Sequence, residues 1–92
     1  MNHDAATLRA LLEQLVTSVP ATRQEAFDLW ESFQDCRLEL IRSGMPMTDD
    51  QSHRLRQMAY RVEMVATNHA VPDGIPSEAR LALQAFGWKA PE

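Results

Sequence analysis

Hydrophobic residues return along this chain at intervals of three and four, the spacing that stacks side chains on one face of an α-helix. Leu8, Leu11, Leu12, Leu15 and Val19 follow that rule. They predict a first helix from Asp4, a good N-cap, to Val19, where Pro20 stops it. A second helix opens at Thr22, with Glu25 three residues on to complete a Thr-x-x-Glu capping box. It closes at Gly44, a natural left-handed residue, with Pro46 just beyond. The third opens at Thr48 with a second box to Gln51, carries Asp49 and Asp50 where the helix dipole favours negative charge, and runs to about Ala70. The fourth is shorter. Pro76 suits its first turn, and Leu83, Gly87 and Trp88 fit a Schellman end in which Trp88 packs back on Leu83.

All three glycines and all five prolines fall between or at the ends of these segments, so they punctuate helices rather than interrupt them. No strand-like alternation, hairpin signal or internal repeat appears. The expected fold is all-α: a single helical domain, 1–92, built as a small antiparallel bundle of three long helices plus a short C-terminal helix. Short connections make neighbours antiparallel. The second and third helices should therefore form the long hairpin, with the first and fourth packed across it.

The two central helices have more to offer than a core needs. The second gathers Ala26, Leu29, Trp30, Phe33, Cys36, Leu40 and Ile41 on one face, widened by Phe27 and Leu38. That arc exceeds the stripe of about 100° that one core requires. The helix is therefore either central to the bundle or offers part of itself to a partner. Arg37 lies inside the arc and must snorkel or pair. The opposite side carries Glu25, Asp28, Glu31, Asp35 and Glu39, an acidic ridge relieved mainly by Arg42; it is a solvated face, a surface for a basic protein, or an imitation of nucleic-acid phosphates, the last needing more charge than −4.

The third helix is expected to bury Leu55, Met58, Ala59, Val62, Val65 and Ala66, with His69 on the same line. Its other side holds His53, Tyr60, Met64, Thr67 and Val71, flanked by Arg54, Arg56 and Arg61. Tyr, Met and Arg are the types enriched at the centres of interfaces. Either the first or fourth helix covers Tyr60 and Met64, or another protein does.

Composition narrows the function classes. A net charge of −4, from 9 Lys+Arg against 13 Asp+Glu, leaves no basic excess to neutralise phosphates, which makes nucleic acid an unfavoured partner. Lone Cys36 cannot form an intramolecular disulfide, the first twenty residues lack the basic-then-apolar pattern of a signal peptide, and no run reaches the ~18 apolar residues of a membrane span. The expected location is cytoplasmic.

The chain carries little of the patterning that catalysis requires. His3, His53 and His69 make neither H-x-x-x-H nor a Cys/His cluster, so no metal site is expected. Asp49 and Asp50 one turn before His53 are better read as helix-start acids. There is no nucleophile elbow, phosphate loop or dinucleotide fingerprint. The carboxylates lie on an outer face, away from any pocket that would tune them. The expectation is a non-enzyme without catalytic residues or cofactor.

The sequence thus points to a non-catalytic helical interaction module, such as a small inhibitor, an immunity or antitoxin-type protein, a phage-encoded blocker or an assembly adaptor. Its protein partner would bind through His53, Arg56, Tyr60 and Met64 on the third helix, through Asp28, Asp35 and Glu39 on the second, or through both. Two alternatives stand beside it. One is a helix-turn-helix regulator reading DNA with Arg54, Arg56, Arg61 and His53; the other is a homo-oligomeric structural subunit, a homodimer in the simplest case.

Overall fold

The computed structural model of the chain describes residues 5–91. It contains four α-helices: α1 (Ala5–Thr17), α2 (Arg23–Arg42), α3 (Asp49–Ala66) and α4 (Ile75–Ala85), with a 3₁₀ turn at Pro72–Gly74 leading into α4. Among the described residues there is no strand, and the all-α expectation holds. Asp4, the expected cap of α1, and His3 lie outside the described residues.

Local chemistry explains where most helices begin and end. Thr22 caps α2 by accepting from the Glu25 amide at 3.1 Å. The Glu25 carboxylate takes the Ala21 N–H at 2.8 Å rather than that of Thr22, so the box is one residue wider than expected. At α3 the box is complete: Thr48 Oγ1 accepts from Gln51 N at 3.1 Å, and Gln51 Oε1 accepts from Thr48 N at 2.9 Å. Gln51 then donates through Nε2 to the Ala85 carbonyl at 3.1 Å. One side chain therefore closes the start of α3 and the end of α4.

Three helices share one ending. Gly44 and Gly87 both sit at φ 72°, and Asn68 at φ 63°, the left-handed region that glycine and asparagine tolerate best. Past each, an amide reaches back five residues: Met45 to the Leu40 carbonyl, His69 to Met64, and Trp88 to Leu83. Each is a Schellman closure. Asn68 accordingly ends α3 at Ala66, four residues short of the expected Ala70. His69, expected in line with the core, is instead exposed, its Nδ1 2.9 Å from Thr67 Oγ1. Similarly, α1 stops at Thr17 rather than Val19, because a residue before proline disfavours helical backbone.

The core joins Leu8, Leu12, Leu15 and Val16 of α1, Ala26, Phe33, Cys36 and Leu40 of α2, Leu55, Met58, Ala59, Val62 and Val65 of α3, and Ile75, Ala79, Ala82 and Leu83 of α4. The heaviest pairings are α2 with α3, α1 with α4 and α3 with α4; α1 meets α2 more lightly. Arg23 Nε donates to the Ala66 carbonyl at 3.3 Å at one end of the α2/α3 pair, and Ile41 shares a cleft with Ser52 at the other, so these helices run antiparallel. The Gln51–Ala85 bond and the Arg61–Glu78 ion pair set α3 and α4 antiparallel too. The α1 and α4 helices thus lie against one side of the hairpin and leave its other side open. The radius of gyration, 12.2 Å, matches the ~12 Å of a well-packed chain of this length.

Candidate functional site

The open side of the α2/α3 hairpin is where the chain shows what its core leaves over. At about 100° per residue, the α2 positions 27 and 38 and the α3 positions 56, 60 and 67 turn away from α1 and α4. Phe27 is 45% exposed, Leu38 53%, Ile41 57% and Tyr60 56%. Large apolar side chains seldom gather in water on one face without a reason. The breadth of the α2 arc is resolved in the same stroke: Ala26, Phe33, Cys36 and Leu40 are buried, Leu29 and Trp30 are half-buried, and Phe27, Leu38 and Ile41 face outward.

Between the two helices runs a groove with an apolar recess at each end. One recess, of about 170 Å³, is lined by Phe27, Trp30, Glu63, Ala66 and Thr67. The Phe27 and Trp30 rings meet there at 5.9 Å and 31°. Trp30 Nε1 is enclosed and has no hydrogen-bond partner among the described residues, an arrangement that costs about 1–3 kcal/mol. The other recess, about 70 Å³, is lined by Arg37, Ile41, Met47, Ser52 and Leu55.

Arg37 lines this second recess, and the charge of Arg56 acts on it. Arg37 is half-buried and its Nη1 donates to Gln34 Oε1 at 2.7 Å. Burial, and secondly the nearby charge of Arg56, hold its guanidinium below the usual arginine pKa. Neither Arg37 nor Arg56 forms an ion pair with a described carboxylate, whereas Arg9, Arg42, Arg54 and Arg61 each do. Arg37 thus snorkels rather than pairs, and it does so toward a like charge.

The seven expected partner-binding residues divide between two surfaces. His53, Arg56 and Tyr60 are exposed on the outer side of α3, and Met64 is half-buried beside them. Asp28, Asp35 and Glu39 are exposed on the flank of α2 turned away from α3. Asp28 accepts from Gln24 Nε2 at 3.0 Å and borders the cleft between α2 and the end of α1, and Glu39 lies 3.9 Å from Arg42. The acidic ridge and the Tyr60 stripe are therefore not one site. Of the α3 arginines, Arg54 leans on Asp50 at 3.8 Å and Arg61 on Glu78 at 3.6 Å. Both occupy the α4 flank of the helix and leave Arg56 alone on the outer side.

Comparison with protein-family models, curated proteins and solved structures finds no match. The geometry must carry the functional reading by itself. Among the described residues no group of three His, Cys, Asp or Glu is placed to hold a metal ion, and no helix is long and apolar enough to cross a membrane. Sequence reasoning found the Tyr60 stripe and suspected the surplus on α2. It missed that Phe27, Leu38 and Ile41 join Tyr60 on one face, and that the charge of Arg56 acts on Arg37. Both follow from the antiparallel register of the hairpin, which pairs residues 37 and 56 across it.

Proposed function

We propose that this chain is a non-catalytic protein-binding module, working in the cytosol, whose recognition surface is the outer face of the α2/α3 hairpin. The observation that carries the reading is the concentration of Phe27, Leu38, Ile41 and Tyr60, each close to half exposed, around a groove that holds two arginines without acidic partners. Aromatic and arginine side chains at the centre of such a patch are the groups that dominate binding energy. Inhibitors, antitoxin-type proteins and adaptors all act by covering a partner in this way, and the surface does not choose among them. The DNA-reading alternative draws less support, since it needs its arginines on one side of α3, and Arg54 and Arg61 are paired on another.

The test is a photo-crosslinking residue placed at Tyr60 in cells, compared with the same residue at Ser77, which is exposed on α4. The reading expects a crosslinked protein from position 60 and not from 77, and expects it to vanish when Leu38 is changed to Glu. Equal capture from both positions refutes it.

A further inference from the structure

The two ends of the open hairpin face carry opposite charge. Glu63 is the charged residue lining the Phe27/Trp30 recess, and Arg37 is the charged residue lining the Ile41/Leu55 recess. Neither forms an ion pair with a described neighbour, and the same holds for Glu31 and Arg56. The linings also fix the register: position 30 of α2 stands across from 63 of α3 at one end, and 41 from 52 at the other. The level midway between the recesses therefore falls at Gln34 on α2 and Tyr60 on α3, both uncharged. Around that level the charges are placed evenly. On α3, Arg56 lies four residues to one side of Tyr60 and Glu63 three to the other, all exposed and within an arc of about 60°. On α2, Glu31 lies three residues before Gln34 and Arg37 three after. Arg23, near the acidic end, is committed to the Ala66 carbonyl at 3.3 Å.

Resting on the proposed reading of this face as a protein-binding surface, we infer that its occupant is a second copy of this chain, turned end for end. A twofold axis in the contact plane, crossing the helices at the level of Gln34 and Tyr60, sets α2 against α2 and α3 against α3, each pair antiparallel. The two hairpins then complete a four-helix bundle. Glu63 of each copy meets Arg56 of the other, and Glu31 of each comes level with Arg37 of the other. Phe27 comes level with Ile41 and Trp30 with Leu38, while the two Tyr60 rings flank the axis. An axis running along the helices instead gathers both copies' acids at one end and their arginines at the other, so charge selects the reversed arrangement. The area agrees with a weak dimer. α2 has 20 residues, which with the width of two packed helices gives roughly 540 Å² on each copy. Together the copies remove roughly 1,080 Å², just past the ~1,000 Å² that a specific interface needs.

Sedimentation velocity of the full chain tests this. The parent is expected to pass from monomer to dimer between about 1 µM and 1 mM. Glu63→Arg and Arg56→Glu change exposed positions and should keep the parent's circular dichroism. Each sets like charges against each other twice in the contact, so each should raise the dissociation constant at least about tenfold. Mixed in equal amounts, the two variants should dimerise with each other, because one then carries arginine at both positions and the other glutamate at both. A parent that stays monomeric at about 1 mM overturns the second copy. So do single variants that associate as the parent does, and a mixture no more associated than its components. The broader reading fails separately, on equal crosslinking from positions 60 and 77; a crosslink from position 60 to a different protein upholds it even when the second copy is overturned.

Discussion

Met58 and Tyr60 are two residues apart on α3 and should respond oppositely to truncation. Met58 is fully enclosed, and Tyr60 is 56% exposed. Removing a buried methionine side chain costs about 2–5 kcal/mol, because its contacts are lost and the cavity collapses only in part. Against a total stability of roughly 5–14 kcal/mol for a domain of this size, Met58→Ala is a severe change. An enclosed tyrosine buries about 150–250 Å², of which Tyr60 realises somewhat under half, roughly 65–110 Å². At about 25 cal/mol per Å² this is worth ~1.6–2.8 kcal/mol. Residual burial in the unfolded chain takes back roughly 10–40%, and alanine returns about 0.5 kcal/mol as the better helix former. The net cost of Tyr60→Ala is thus about 1 kcal/mol. Urea unfolding measures both, provided the two variants keep the parent slope. Partner binding well below the unfolding midpoint supplies the other half: Met58→Ala should keep it and Tyr60→Ala should lose it. A cost for Tyr60→Ala above about 3 kcal/mol, or matching that of Met58→Ala, would mean that α3 has no outer side to spare.

Three further outcomes follow from particular residues. Arg37→Met keeps the side-chain stem against Ile41, Met47 and Leu55 while removing a desolvated cation that faces Arg56. It should raise the urea midpoint, mainly by relieving the buried charge, and only the smaller part owed to Arg56 should shrink in about 0.5 M salt, where surface charges are screened; a gain unchanged by salt would dismiss the like-charge contribution. Asn68→Gly should be neutral or mildly stabilising and Asn68→Ala should cost about 1 kcal/mol, because residue 68 sits at φ 63°. The reverse order in thermal denaturation would rule out backbone strain as the reason. Thr48→Ala removes one arm of the α3 capping box and should cost about 1 kcal/mol, seen as a lower thermal midpoint; no change would show that Gln51 closes the helix unaided.

The helices were legible because their signals are local. Thr22 and Thr48 cap, Gly44 and Gly87 close, and the leucine spacing of α1 survives without any neighbour to confirm it. The errors were local as well. Asn68 carries the same left-handed capability as the two glycines, yet it ends α3 in the middle of an apolar pattern that continues to Ala70, and periodicity alone does not record the break. Pro20 acts one residue earlier than its own position, which removed Val19 from α1. The site was legible only in halves. The exposure of Tyr60 could be read from its angle on the helix, because the buried residues Leu55, Met58 and Val62 fix the opposite side. The company it keeps could not, since whether Leu38 or Asp35 shares its face depends on how α2 is rotated against α3. The charges of Arg37 and Arg56 are 19 positions apart in the chain, and only the hairpin register brings them into opposition.

The size of the face limits how tightly it can act. α2 has 20 residues, about 30 Å of axis, and two helices packed 8–10 Å apart present a strip about 18 Å wide. The flat footprint is therefore roughly 540 Å², below the ~800 Å² per partner of a standard stable complex. Affinity on such a strip depends on a few anchors rather than on area. Tyr60, Phe27 and Leu38 are the anchors present, and Arg37 and Arg56 supply orientation and partner choice more than strength. A reversible contact in the micromolar range follows on the proposed reading, with salt acting mainly on its rate of formation. Nanomolar binding would require a second surface, and the acidic flank of Asp28, Asp35 and Glu39 is where the chain has one to give. Charge reversal on that flank should then weaken a tight partner and leave a weak one untouched, which separates one-sided from two-sided recognition in a single titration series.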